Sequence, residues 1–141
     1  MPGSMVHPIL VALPLDHETP DIVATATQLA RRLAAPLVVV HAIAARTLES
    51  DEGLAVRVDE ARLRLDPHLA PLRETGIEVQ DVTIELGDPA EVIVATALRR
   101  AAQMIVTGGG RPATVRRWVV GSVAEAVVRR SSVPVWVARG K

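Results

Sequence analysis

The chain has 141 residues, of which 49% are hydrophobic, and this is enough for one domain around one core. It contains no cysteine, which excludes disulfide bridges and thiolate zinc sites, and no apolar run approaches the ~20 residues of a membrane-spanning helix. The formal net charge is zero, but 7 bases and 15 acids up to residue 91 give −8, and 9 bases and 1 acid after it give +8.

At the N-terminus, residues 1–5 lack the charged and apolar regions of a secretory signal, so we expect a cytoplasmic protein. We interpret residues 1–5 as a cloning remnant or a disordered N-terminus, and residues 6–141 as one domain. The first strand is predicted over Ile9–Leu13. A helix follows over Asp21–Ala34, with Thr19 as its N-cap and Pro20 at its first position.

The middle of the chain continues this alternation of apolar runs and helical periods. Strands are predicted over Leu37–Ile43 and Ile77–Leu86, with a helix over residues 50–75 between them. Pro67 lies inside that helix, so we expect either a kink or a restart with Asp66 as the new cap.

The last third of the chain repeats the pattern twice. Asp88 caps a third helix, and the strand Met104–Val106 runs into Gly108–Gly110. A last helix opens at Gly121, and the fifth strand covers Val133–Ala138. Buried strands alternating with helices predict an α/β domain, an open parallel five-stranded sheet with helices on both faces.

Ligands of open doubly wound sheets lie at the carboxyl ends of the strands, where the strand order reverses. If the first strand is central, the loops after Leu13 and Thr107 face that point. The second loop contains Gly108, Gly109 and Gly110, whose backbone can approach a ligand closely and whose amides can form an anion-binding nest.

The start of the last helix has two interpretations. Ser122 and Glu125 have the spacing of a capping box, which satisfies the helix's own amides. Alternatively, the amides and the helix dipole hold a phosphate, with Gly121 leaving room for a ligand oxygen.

Basic residues fall into two groups. Arg99–Arg100 and Arg129–Arg130 lie at predicted helix C-termini, where the helix dipole favours cations. Arg111, Arg116 and Arg117 fall in the predicted loop before the last helix, where they could face an anion.

Several other chemistries are not supported. The spacing Gly108-x-Gly110-x-x-Ala113 matches the dinucleotide fingerprint only formally, because Pro112 prevents a long helix from opening there. Asp16-His17-Glu18 is interpreted as a solvated turn. Trp118 and Trp136 are the only aromatic residues, which disfavours nucleic-acid binding by base stacking. No metal site is expected from the histidines, whose spacing is unsuitable: His7, His17, His41 and His68.

Six segments spread over residues 6–138 occur in an order that resembles the universal stress protein (UspA-like) family. They are Ile9–Ala12, Val40–Ala42, Gly87–Ile93, Met104–Gly108, Gly121–Ala124 and Val133–Val135. The resemblance implies a Rossmann-like sheet of the adenine-nucleotide alpha hydrolase type, in the order 3-2-1-4-5. It also implies a homodimer whose last strands pair antiparallel, through Val133, Val135, Trp136 and Val137.

Nucleotide-binding members of that family carry Gly-x-x-Gly-x9-Gly-Ser/Thr after the fourth strand. Here Gly108 matches the first glycine, and Arg111 replaces the second, where it either grips phosphate or fills the pocket. Those members also carry an aspartate after the first strand, where this chain has Pro14; the nearby Asp16 replaces it if the loop shifts. The implied nucleotide site is Leu13, Pro14, Ala42, Gly108, Gly109, Gly110, Arg111, Gly121, Ser122 and Val123.

The resemblance therefore favours a stress-response binding module that takes ATP, ADP or AMP, with or without Mg²⁺. If the altered motif is inactive, the chain has no cofactor and is a dimeric scaffold for an unidentified protein partner. The third hypothesis is a very slow ATPase. Such an enzyme needs a base to activate the attacking water, and the sequence offers no obvious one. Glu125 is the only acid in the last 50 residues and is expected to serve as a cap.

Overall fold

A computed structural model describes residues 6–110 and 120–139. The predictions for residues 1–5, and for Arg111, Arg116, Arg117 and Trp118, lie outside the described residues. The elements in chain order are β1 (Ile9–Ala12), α1 (Thr19–Leu33), β2 (Leu37–Ile43), α2 (Asp51–Glu74), β3 (Val79–Leu86), α3 (Pro89–Arg99), β4 (Met104–Gly108), α4 (Ser122–Arg130) and β5 (Val135–Ala138).

The strands form one five-stranded sheet in the order β3-β2-β1-β4-β5, and all neighbours are parallel. In the centre, Ile9 of β1 is in register with Leu37 of β2 on one side and Met104 of β4 on the other. The predicted fold class and strand order are confirmed. Strands β2 and β3 lie on one side of β1, and β4 and β5 lie on the other. The strand order therefore reverses between β1 and β4, and a crevice opens at the carboxyl ends of these two strands.

The core lies on both faces of the sheet. Ile9 and Val11 of β1 pack with α1 and α2, whereas Leu10 and Ala12 pack with α3 and with Val127 of α4. Because both faces of the central strand are buried, its sequence is apolar without alternation, as expected for a parallel sheet. Within residues 6–110 and 120–139, no helix is long and apolar enough to cross a membrane.

Helix α1 begins earlier than its sequence predicted. It starts at Thr19, and Glu18 occupies the N-cap position without a side-chain cap bond. The prediction of Thr19 as N-cap is therefore wrong, and Pro20 is the second residue of the helix rather than the first. The Thr19 hydroxyl oxygen instead accepts a hydrogen bond from the Asp16 N–H at 3.1 Å. This bond joins the loop between β1 and α1 to the first residue of the helix.

Helix α2 is continuous over Asp51–Glu74, although it contains Pro67 and Pro71. It has no restart at Asp66, which lies inside the helix. Its true cap is Ser50, whose hydroxyl oxygen accepts from the Gly53 N–H at 3.0 Å. The remaining differences are at strand ends: β1 is one residue shorter than predicted, β3 and β5 are each two residues shorter, and β4 extends two residues further, to Gly108.

Candidate functional site

A cleft of about 270 Å³ opens where the strand order reverses, at the carboxyl ends of β1 and β4. The loop after β1, the end of β2, the turn after β4 and the first turns of α3 and α4 surround it. Its apolar wall includes Leu13, Val40, Ala42, Ile93, Val123 and Ala124. Such a mostly apolar cleft with a few polar groups is typical of a small-molecule site.

The glycine turn after β4 contacts the start of α4. Gly110 has a φ of +78°, in the left-handed region that favours glycine, and a Cβ placed on it would lie 3.2 Å from Gly121 Cα. The Gly121 N–H donates to the Gly109 carbonyl. The glycine turn and Gly121, both predicted from the sequence to face a ligand, are therefore adjacent at one side of the cleft.

The start of α4 differs from the predicted capping box. Gly121 occupies the N-cap position with no side-chain cap bond, so Ser122 lies already inside the helix. The Glu125 carboxylate lies 3.4 Å from the Arg129 guanidinium, one turn further along. The expected Ser122–Glu125 capping pair, and with it the role of Glu125 as a cap, is therefore wrong.

The loop after β1 is held tightly. Leu15 is buried with a φ of +62°, an unusual conformation for a residue with a branched side chain. The Arg64 guanidinium of α2 donates to the Leu15 carbonyl at 2.8 Å. Asp16 continues the network, since its carboxylate accepts from the Glu18 N–H at 2.8 Å. These contacts fix the direction in which the chain enters α1.

Glu18 reaches from this loop to the glycine turn. Its carboxylate accepts a hydrogen bond from the Gly110 N–H at 2.9 Å. It also lies over Gly108, where a Cβ would be 3.1 Å from Glu18 Oε1 and 2.9 Å from Ile22 Cδ1. Because Gly108 has no side chain, the carboxylate of Glu18 has room to lie against it.

The Asp16-His17-Glu18 segment forms the solvent-exposed turn that was predicted, and both of its acids also line the cleft. No local pattern signals the bond between Glu18 and Gly110, because the two residues are 92 positions apart. Pro14 and Asp16 both line the cleft.

His41 contributes a polar group to the wall of the cleft. Its Nδ1 lies 2.6 Å from the Leu13 carbonyl oxygen, which can only accept, so Nδ1 carries the proton in this bond. The bond joins the end of β2 to the loop after β1. In the described part of the chain, no group of three or more metal-ligating side chains occurs.

Most of the predicted nucleotide-site residues are brought together. The cleft is lined by Leu13, Pro14, Ala42, Gly108, Gly110 and Val123. Gly109 and Gly121 are bonded to each other through their backbones and are not among the lining residues, and Ser122 follows as an exposed residue. Arg111 belongs to the segment that is not described.

The predicted dimer residues lie away from the cleft, on or beside β5 at the edge of the sheet. Val133, Val135 and Val137 are half-buried, whereas Trp136 is 49% exposed. Among the described strands, β5 pairs with β4 alone, so its outer edge offers backbone groups to a further strand.

A parallel sheet with an apolar cleft at the reversal of its strand order, bordered by a glycine turn, defines the doubly wound, Rossmann-like class of α/β proteins. Within that class, the chain belongs to the universal stress protein family, whose sequence model matches residues 5–139.

Relatives and solved structures agree with this assignment. A putative universal stress protein of Staphylococcus epidermidis is 30% identical over 137 residues, which is 93% of this chain and 82% of that protein. The universal stress protein of Archaeoglobus fulgidus in complex with dAMP is 25% identical, with a TM-score of 0.73 over 96% of this chain and 100% of that one. UspA of Lactobacillus plantarum, 20% identical, shares the fold with a TM-score of 0.81, over 97% and 100% of the two chains.

Proposed function

We propose that this chain is a stress-response binding module whose cleft takes the adenosine part of an adenine nucleotide or nucleoside. The observation that carries the proposal is the apolar cleft of about 270 Å³ between the ends of β1 and β4, with a glycine turn at its side. The Archaeoglobus fulgidus relative described above, which is bound to dAMP, gives the ligand class.

The base and ribose fit the residues present. Leu13, Val40 and Ala42 offer an apolar surface to a purine, and the half-buried Ala42 leaves room beside its backbone. Asp16 lines the same cleft and supplies the carboxylate acceptor that Pro14 cannot provide for ribose hydroxyls.

The phosphates do not fit the turn as it stands. The Gly110 N–H, which a phosphate oxygen would need, is bonded to the Glu18 carboxylate. The charged side chains that line the cleft, among the described residues, are those of Asp16 and Glu18. We therefore assign no phosphate or Mg²⁺ geometry and derive no hydrolytic step.

Glu18 also favours a second candidate, the dimeric scaffold without nucleotide binding. An internal carboxylate that satisfies the Gly110 amide removes one reason for an anion to enter. In either case we propose a homodimer through β5, supported by the exposed edge of that strand and by Trp136.

The proposal is tested by titrating ¹⁵N-labelled protein with adenosine and following the backbone amides. We expect saturable shifts at Ala42, Gly108 and Gly110, and weaker binding in Ala42→Leu, whose larger side chain fills the cleft. Ala55→Leu is the matched control, because Ala55 is exposed on α2.

Two results decide between the candidates. Protein denatured after purification is expected to release an adenine compound, detectable by mass spectrometry. If none is released, and millimolar adenosine, AMP and ATP with Mg²⁺ shift no amide of the cleft, the binding proposal is rejected in favour of the scaffold.

A further inference from the structure

We propose that Glu18 is a built-in anion that occupies the phosphate position of the glycine turn, so that this cleft favours an uncharged adenine nucleoside over the corresponding phosphates. This inference rests on the proposed function, because it names the ligand class within the same cleft. Glu18 is thereby a specificity-determining residue.

The first step is geometric. The Glu18 carboxylate accepts from the Gly110 N–H at 2.9 Å, a distance typical of a well-formed bond to a backbone amide. The carboxylate also lies over Gly108, within 3.1 Å of where a Cβ would be. A phosphate oxygen that used the Gly110 amide would have to stand where Glu18 Oε1 now stands.

The second step concerns how Glu18 is held. Its backbone N–H donates to Asp16, and the Asp16 N–H donates to Thr19, so the residue is fixed on both sides. Glu18 is also the N-cap residue of α1. The backbone therefore aims this side chain at the turn, and a competing ligand can displace it only by rotating the side chain away.

The third step is electrostatic. A phosphate monoester near neutral pH carries about −1.5 to −2 charges, and it would enter beside the carboxylates of Glu18 and Asp16. Like charges at close range repel each other. Adenosine carries no such charge and leaves the bond between Glu18 and Gly110 intact.

The experiment compares adenosine and AMP on three variants in EDTA, which prevents a divalent cation from bridging carboxylate and phosphate. Glu18→Ala removes the occupant, and Glu18→Gln removes its charge while keeping its shape. Glu74→Gln removes an equal charge at the exposed end of α2 and is the matched control.

In the wild type we expect adenosine to bind more tightly than AMP. Glu18→Ala is expected to improve AMP relative to adenosine by about tenfold or more, the effect of one hydrogen bond to a charged group. Glu18→Gln should give a smaller gain in the same direction, and Glu74→Gln none. Equal AMP-to-adenosine affinity ratios in wild type and Glu18→Ala would overturn the inference.

An anion that lacks the adenosine part separates this inference from the proposed function. If neither adenosine nor AMP binds any variant, the proposed function fails, and inorganic tripolyphosphate becomes the probe. Tripolyphosphate shifts of the Gly110 amide in Glu18→Ala but not in the wild type would support Glu18 as the occupant of the anion position. No shift in either protein would overturn it. Should Glu18→Ala fail to fold, Glu18→Ser takes its place in the same measurements, because its short side chain also removes the occupant and serine is a favoured N-cap residue.

Discussion

Gly108 shows at the scale of one residue why the last position of β4 needs glycine. A Cβ at this position would lie 2.9 Å from Ile22 Cδ1 and 3.1 Å from Glu18 Oε1, so both groups would have to move. We expect Gly108→Ala to lower the free energy of unfolding by about 1–3 kcal/mol, the usual range for overpacking. Urea denaturation followed by circular dichroism measures the loss.

A double-mutant cycle identifies the source of that loss. In the Glu18→Ala background one of the two crowded groups is absent, so Gly108→Ala should cost less than in the wild type. Equal costs in both backgrounds would mean that the alanine is accommodated without touching Glu18.

Residue roles were predictable from sequence only where the partners are close in the chain. Asp88 was correctly assigned as a cap, because the Glu91 amide that it accepts from is three residues away. The bond between Glu18 and Gly110 spans 92 residues, and nothing near either residue signals it. The glycine run does border the cleft as predicted, but the carboxylate of Glu18 occupies the space over Gly108 and accepts the Gly110 N–H.

Two helix starts differ in a way that mutation can measure. The Asp88 carboxylate accepts from the Glu91 N–H at 3.1 Å at the start of α3, whereas α4 has Gly121 as N-cap and no side-chain cap bond. We expect Asp88→Ala to cost about 1 kcal/mol of unfolding free energy, and Ser122→Ala less than about 0.5 kcal/mol. Thermal denaturation of both variants provides the comparison. A Ser122→Ala cost as large as that of Asp88→Ala would restore the capping box.

Helix α2 runs through Pro67, where either a kink or a restart at Asp66 was predicted. Pro67 has no N–H to donate to the residue four positions earlier, yet the helix continues through it. We expect Pro67→Ala to raise the free energy of unfolding by about 1–2 kcal/mol, because the hydrogen bond gained outweighs the entropy that proline removes from the unfolded chain. Denaturation midpoints in urea measure the change.

Pro20 is the control for this substitution. It lies in the first turn of α1, where the amides have no partner within the helix. Pro20→Ala should therefore give no comparable gain. If both variants gained equally, the effect would come from the unfolded chain rather than from the interior of α2.

The order of elements followed from periodicity, but the order of strands did not. Apolar runs such as Leu37–Val40 and Ile105–Val106 are buried on both faces, and this pattern predicts a parallel sheet. Which strand lies beside which depends on contacts between distant segments, and here it came from the family resemblance. The restart predicted at Asp66 does not occur, because Leu65 and Leu69 pack in the core on either side of Pro67 and hold α2 on the sheet.

The charge imbalance between the two parts of the chain is partly resolved by the fold. Arg99 and Arg100, at the end of α3, lie 2.7 Å from Glu85 and Asp81 of β3. These bases come from the part with +8 and the acids from the part with −8. The prediction that the arginines serve the helix dipole alone was therefore incomplete. Because the pairs are partly exposed, each contributes only about 0–1 kcal/mol.

The outer edge of β5 carries the last prediction, which concerns the assembled molecule. An apolar edge strand with free backbone groups invites a second strand, and a two-fold axis lets the same strand serve both copies. Trp136 is 49% exposed on this strand, although tryptophan usually buries most of its ring. We expect the wild type to sediment as a dimer and Trp136→Lys as a monomer at micromolar concentration.

Leu98→Lys is the control for sedimentation velocity, since Leu98 is 77% exposed on α3 rather than on the edge strand. It should leave the dimer intact, because the lysine is placed away from the β5 edge. A wild type that sediments as a monomer would contradict the dimer, and a Trp136→Lys variant that stays dimeric would place the contact elsewhere. Because Trp136 lies on a strand that is not part of the cleft, adenosine binding should persist in the monomer, so that assembly and binding can be measured separately.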